Sequence, residues 1–345
     1  MTRSRPTYRY QSGGSLDINA PTYVVRQADI QLLEALRSGE FCYVLNARQM
    51  GKSSMLFRTI HQLRQLGHYC VFLDMTRLGS ESVQPEQWYR GIVSELCRSL
   101  NLSMDLPAWW RSQTEFSPVQ RLSHFLEDIL LVQFPQEHLF IFIDEIDSIF
   151  SLSFSVDDFF ALIRFCFNQR VLNPAYNRLT FALFGVTTPS SLIQDLNRTP
   201  FNIGRAIALA GFQLAEAHPL GIGLTGFVEQ PQMTLQAILN WTQGQPFLTQ
   251  KLCQLIVQRA GKQNPAGAIS LNPTELVASV VQTCILENWE MQDNPEHLRT
   301  IRDRIERNQQ QSGRMLSLYQ QLLQGGTLDL DDSREQAELL LSGLV

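Results

Sequence analysis

Between residues 41 and 66 the chain passes through a short apolar run, Phe41 to Leu45, and a loop, Asn46-Ala47-Arg48-Gln49-Met50-Gly51-Lys52-Ser53-Ser54. A helical pattern follows from Lys52 to Leu66, and Gly67 stops it. A strand-forming run, a loop closing on Gly-Lys-Ser and a helix leave few folds open. The spacing is G-x-x-x-x-G-K-S/T, with Asn46 in place of the first glycine. This layout suits a phosphate group. Successive loop N–H groups and the helix N-terminus converge on an anion. Lys52 reaches phosphate oxygens, and the Ser53 hydroxyl can ligate Mg²⁺. Gly51 lets the backbone approach closely. Asn46 is the non-glycine residue that best tolerates positive φ. Residues 46–54 are therefore the expected phosphate-binding set.

A second apolar run, Leu139 to Ile143, ends in Asp144-Glu145-Ile146-Asp147. A buried strand stopping at Asp-Glu matches the Walker B arrangement, as the loop matches Walker A. Asp144 would hold Mg²⁺ and Glu145 would activate an attacking water. Asp147 reads as a helix N-cap. Further strands are expected at 69–73, 179–184 and 206–209, with helices at 28–37, 86–101, 117–132 and 157–170. Strands separated by helices argue for a parallel α/β sheet covered on both faces. The 179–184 strand runs into Thr187-Thr188. Either threonine could sense a terminal phosphate from the strand tip, or cap the next helix. Arg198 and Arg205 precede the last strand. An arginine there can act as a finger across an oligomer interface, and Arg205 is the candidate.

After residue 212 the strand pattern stops, and helices are expected near 213–219, 232–242, 246–260, 273–289, 295–310, 313–324 and 333–342, with 261–272 as a loop or hinge. Composition is globular, with 44% hydrophobic and 18% charged residues. The net charge is −5, from 28 Lys+Arg against 33 Asp+Glu, so there is no global excess of positive charge. No apolar stretch approaches the roughly 20 residues that span a bilayer. The polar start MTRSRPTYRY has no signal-peptide core. The six cysteines form no CxxC pair, which suits buried free thiols in a reducing cytoplasm. Trp109-Trp110 read as a packing pair. Arg299, Arg302 and Arg307 find opposite charges four residues away in Asp303, Glu306 and Asp303, the pattern of a solvated helix face.

With both Walker elements in place, the chain resembles the AAA-like P-loop ATPase domain of bacterial regulatory proteins, a group related to STAND signalling ATPases and the origin-recognition branch of AAA+. The resemblance rests on YVVRQAD (23–29), LNARQMGKSS (45–54), FIDEID (142–147), DDFFALIR (157–164), RLTFALFGV (178–186), TPFNIGR (199–205), GQPFLTQKLC (244–253) and NPEHLRTIRDR (294–304). It implies a three-layer α/β/α core with a five-stranded parallel sheet in the order 5-1-4-3-2, then a helical lid and a winged helix. The implied boundaries are a lead-in at 1–22, the core at 23–212, the lid at 213–261 and a winged-helix-like module at 262–345, incomplete where the chain stops at SGLV. Val24, Val25 and Arg26 fall where relatives carry an apolar-apolar-Gly-Arg motif beside the adenine, with Val25 in the glycine position. Pro246 falls on the Gly-x-Pro proline of the lid, which packs near the base.

The expected function is an ATP-binding and ATP-hydrolysing cytoplasmic switch, using ATP/ADP and Mg²⁺ and signalling through protein partners or self-association. The alternatives are a DNA-associated ATPase of the initiator or loader kind and a nucleotide-binding scaffold without turnover. Residues 262–345 hold seven Lys/Arg and twelve Asp/Glu, a balance of −5, which argues against DNA. Glu145 argues against the scaffold, which has no use for a water-activating carboxylate.

Overall fold

The structure is a computed structural model that describes residues 8–79, 81–193, 195, 199–263, 268–307, 309–325 and 333–344. The chain divides into two compact bodies. One comprises Ala28–Asn46 and Met55–Ala208, the other Met1–Gln27, Ala47–Ser54 and Leu209–Val345.

The first body is built on strands β1 (Cys42–Leu45), β2 (Tyr69–Asp74), β3 (Leu139–Asp144), β4 (Leu179–Gly185) and β5 (Arg205–Ala206). All pairs are parallel, in the order β2-β3-β4-β1-β5. This is the expected order read from the opposite edge. Every residue of β3 and β4 is buried, as central strands covered on both faces must be. The helices are α1 (Gln27–Arg37), α2 (Lys52–Gln65), α3 (Pro85–Ser99), α4 (Leu106–Ser112), α5 (Pro118–His124), α6 (Leu131–Gln133), α7 (Asp157–Gln169) and α8 (Pro189–Leu192). A π turn, Phe125–Leu130, joins α5 to α6 as the single helix expected there. Helix α4 was not expected. Asp105 caps it by accepting from Ala108 N, with Pro107 in its first turn. Trp110 is buried in the core among Trp88, Phe125, Phe160 and Tyr176, and Trp109 packs against it.

The second body is helical: α9 (His218–Leu224), α10 (Pro231–Thr242), α11 (Pro246–Gln263), α12 (Pro273–Val281), α13 (Trp289–Gln292), α14 (Leu298–Arg307), α15 (Gln309–Leu323) and α16 (Arg334–Ser342). Its core joins Leu220, Leu235, Ile238, Cys253, Ile256 and Val277. Several boundaries differ from expectation for identifiable reasons. The helix expected at 213–219 starts at His218, because Pro219 fits only a first turn. The helix expected at 273–289 gives way to a π turn at 282–286, and Asn288 at φ +49 breaks it. The expected loop 261–272 is helical through Gln263, and Ile269 bridges to Val228. Its residues 264–267 lie outside the described residues. Strand β5 covers only Arg205–Ala206. The described residues from Pro273 onward hold helices and turns without a strand.

Three arginines of α14 also find partners beyond the expected i,i+4 ones. Arg299 meets Glu296 at 3.3 Å, Arg302 meets Glu290 at 2.7 Å, and Arg304 meets Glu338 of α16 at 2.9 Å. Arg302 also meets Asp303 of its own helix at 3.3 Å, with the charge of Glu306, four residues on, acting on it as well, and the Arg307 side chain lies outside the described residues. All six cysteines are free thiols, four of them buried. Burial pushes the Cys42, Cys70 and Cys166 thiols up to about 12, so none of these three is an activated thiolate. No helix among the described residues is long and apolar enough to cross a membrane.

Candidate functional site

The acidic strand end belongs to the sheet body. β3 pairs with β2 up to Asp74↔Asp144 and with β4 up to Ile143↔Leu183. Asp144 is buried, and its Oδ1 accepts from Glu145 N at 3.0 Å. Glu145 is exposed and sits in the left-handed region at φ +52, ψ +42. A non-glycine residue there costs energy. The consequence is a sharp exit from the strand, which keeps Asp144 inside and turns the next residue out. A 3₁₀ turn, Ile146–Ser151, follows. Asp147 does not cap it; its Oδ1 accepts from Val186 N, just past β4, at 2.8 Å.

β4 lies between β1 and β3, and the two threonines at its tip separate by role. Thr188 caps α8, its hydroxyl accepting from Ser191 N at 3.3 Å. Thr187 is buried and donates to Thr188 O at a long 3.3 Å, so it is the threonine not committed to a cap. Arg205 pairs with Cys42 at the start of β1, and its guanidinium meets Glu40 at 3.2 Å. β5 is the edge strand, separated from β3 by β4 and β1, so Arg205 stands across the sheet from Asp144 with its guanidinium turned to Glu40. Arg198 lies outside the described residues.

The phosphate loop leaves β1 at Asn46, whose N–H continues the ladder by donating to Gly185 O at 3.1 Å. Asn46 does not take positive φ. The left-handed positions are Gln49 at φ +61 and Gly51 at φ +83. Left-handed residues interspersed in a turn that enters a helix are the backbone ingredients of an anion-binding concavity. Ala47 and Lys52 are buried, and Lys52 Nζ donates to Ala47 O at 2.6 Å. Arg48 is exposed, and Met50 and Ser53 are half-buried. The Ser54 hydroxyl accepts from Leu16 N at 3.0 Å.

Side chains from distant sequence hold this loop within the helical body. Arg26 is buried, donates to Met50 O at 2.9 Å and lies 5.5 Å from the Phe212 ring. A Cβ at Gly51 would come within 3.3 Å of its guanidinium. Val24 is in the core, whereas Val25 is exposed. Pro246 opens α11, and the adjoining Gln245 Nε2 donates to Gln49 O at 3.3 Å. Gly244 at φ +73 leaves no room for a side chain, since its Cβ would meet Phe212 O at 2.2 Å.

Gln49 Nε2 also donates to Glu296 O at 3.0 Å, and Gln49 Oε1 accepts from His297 Nδ1. Burial pushes the His297 imidazole down to about 4, with Asp293 opposing the shift and Lys251 adding to it, so the ring is neutral near pH 7. Asp293 accepts from His297 N, Leu298 N and Arg299 N and thereby caps α14. His297, Gln245 and Asp293 were not singled out from sequence. Gln49 occupies a wildcard position of the motif, which gives no hint of what binds it.

The sequence matches the AAA-like domain family over residues 11–340. It is 49% identical over 338 residues to an uncharacterized WD repeat-containing protein of Synechocystis, an alignment covering 97% of this chain and 28% of that protein. The chain thus spans little more than a quarter of the length of this relative. Among solved structures, the Walker-type ATPase of Pyrococcus abyssi is similar in fold (TM-score 0.50, 16% identity, 93% of this chain and 90% of that one). The Aeropyrum pernix ORC2 protein in its ADPNP-ADP complexes has a TM-score of 0.48 at 14% identity, over 77% of this chain and 70% of that one. With a family match running almost end to end and the parallel sheet of a P-loop ATPase, the chain belongs to the AAA-like domain family.

Proposed function

We propose that the chain is an ATP-binding, ATP-hydrolysing regulatory switch, in which nucleotide state repositions a helical lid (213–261) and a winged-helix-like module (262–345) that follow the core (23–212). The observation that carries this is the contrast at the end of β3: Asp144 is buried, and Glu145 is turned out through a strained left-handed backbone. A solvated strand end gains nothing from such strain, whereas a carboxylate that must meet water does.

In this reading the loop N–H groups and Lys52 bind the phosphates. Bound Mg²⁺ would neutralise phosphate charge, with Ser53 as the loop's ligand and Asp144 as the strand's. The chemistry of these residues suits both groups: a helix-entry loop with two left-handed residues, a buried ammonium and hard oxygen donors. Glu145 takes a proton from water as its oxygen bonds to the γ-phosphorus. The bond to the β,γ-bridging oxygen breaks, and its electron pair leaves with ADP. Thr187 is the polar residue at the γ-phosphate. Pro246 reports base occupancy through Gln245, which touches the loop backbone. Arg205 acts as a finger only for a second copy. The WD repeat-containing relative supports protein partners, and the acidic 262–345 segment disfavours DNA.

Two substitutions test the assignment. Lys52→Ala lowers ATP affinity by about a hundredfold, the worth of one or two charge-assisted hydrogen bonds. Glu145→Gln leaves ATP affinity within about threefold and cuts phosphate release by about 10²–10⁴-fold. Titration with a fluorescent ATP analogue and a phosphate-release assay read both. Wild-type turnover in Glu145→Gln would remove Glu145 from the reaction.

A further inference from the structure

β4 runs past its ladder. Its pairing with β3 ends at Ile143↔Leu183 and its pairing with β1 at Leu45↔Gly185. The next N–H, on Val186, belongs to a buried residue. A buried donor beyond the last rung needs a partner, and Asp147 Oδ1 supplies it at 2.8 Å.

The approach that makes this bond possible is tight. A Cβ on Gly185 would meet Ile146 Cγ2 at 2.7 Å and Asp147 Oδ1 at 2.8 Å. Only glycine lets the turn after Glu145 lie this close to β4. Two residues separate Asp147 from Asp144, and the residue it holds precedes Thr187. One carboxylate therefore ties the segment carrying Asp144 and Glu145 to the segment carrying Thr187. Among the described residues the Thr187 hydroxyl makes the long contact to Thr188 O, while Thr188 is engaged in capping α8.

We infer that Asp147 is a positioning residue that fixes Thr187 relative to Glu145, and through that spacing sets discrimination between ATP and ADP as well as the rate of hydrolysis. It acts through the Val186 amide. The inference rests on the proposed function for both consequences, on Thr187 facing the γ-phosphate for the first and on hydrolysis for the second, and the first can be measured without turnover.

The test compares Asp147→Ala, which removes the acceptor, with Asp147→Asn, which keeps an oxygen at the same reach. In Asp147→Ala, ADP affinity stays within about twofold, the preference for a non-hydrolysable ATP analogue over ADP falls about fivefold, and phosphate release falls about tenfold, the scale expected of a sub-ångström to ångström misplacement. Asp147→Asn restores each quantity to within about threefold of wild type. Amide hydrogen exchange at Val186 is slow in wild type and Asp147→Asn and fast in Asp147→Ala.

Equal loss of ADP and ATP-analogue affinity in Asp147→Ala would make the residue a structural brace only and overturn the inference. Unchanged discrimination together with unchanged exchange at Val186 would overturn it too, as would an Asp147→Asn variant as impaired as Asp147→Ala. If the wild-type chain binds ATP but releases no phosphate, the hydrolytic reading fails by itself. The discrimination ratio and the Val186 exchange then still decide whether Asp147 positions Thr187.

Discussion

The acidic strand end and the phosphate loop are held in different ways. Asp144 sits where it does because β3 is laddered on both sides, to β2 and to β4, and every β3 residue is buried. Backbone hydrogen bonds do this work, and most substitutions leave them intact. The phosphate loop has only its first N–H in the ladder. Beyond Asn46, named side chains hold it: Arg26 on Met50 O, Gln245 on Gln49 O, and Gln49 on Glu296 O and His297. A site held by a ladder tolerates mutation around it. A site held by side chains can be loosened one residue at a time, from any element that contributes one.

The sharpest way to break the loop side of this contrast is at Gly244, which lies outside both Walker elements. Its left-handed φ, and the 2.2 Å that would separate an added Cβ from Phe212 O, leave alanine nowhere to go. Gly244→Ala is expected to cost roughly 3 kcal/mol or more of stability, from backbone strain and steric displacement together, and to loosen the turn carrying Gln245. Thermal unfolding and ATP affinity read the two effects. Unchanged values for both would mean that the turn is not needed to hold the loop.

A smaller effect separates the two sites by pH. His297 titrates at about 4 in the folded chain, against an ordinary value of 6.5, because burial disfavours its charged form. The unfolded chain therefore takes up a proton first as pH falls. The contribution to stability is complete above pH 6.5 and is lost between there and about 4. Between pH 7 and pH 5 this amounts to about 2 kcal/mol. His297→Gln should flatten that part of the profile, as measured by chemical denaturation at each pH. An identical acid slope in the variant would assign the sensitivity to other groups.

The smallest effect is expected at Arg205, whose pairing with Glu40 joins two exposed side chains. Arg205→Ala should change stability by less than about 1 kcal/mol. Turnover that nevertheless falls with protein concentration held above that of self-association would support a role across an interface between copies; unchanged turnover would leave Arg205 as a surface ion pair.

Sequence alone was enough for what depends on local pattern. The apolar runs at 139–143 and 179–184 are buried strands because nothing else shields such runs from water. The Gly51-Lys52-Ser53 spacing fixes a loop entering a helix, and Asp144-Glu145 at a strand end are adjacent in the chain. Tertiary structure decided what depends on which groups meet. It put positive φ on Gln49 and Gly51 instead of Asn46, gave Thr188 to a helix cap and left Thr187 buried, and turned Asp147 from an expected cap into the acceptor for Val186. It also brought Gln49 to His297, far along the chain. Periodicity and motif spacing record the needs of a segment that folds against water. A buried N–H or carbonyl takes whichever partner the packed chain brings within about 3 Å, and no local pattern encodes that choice.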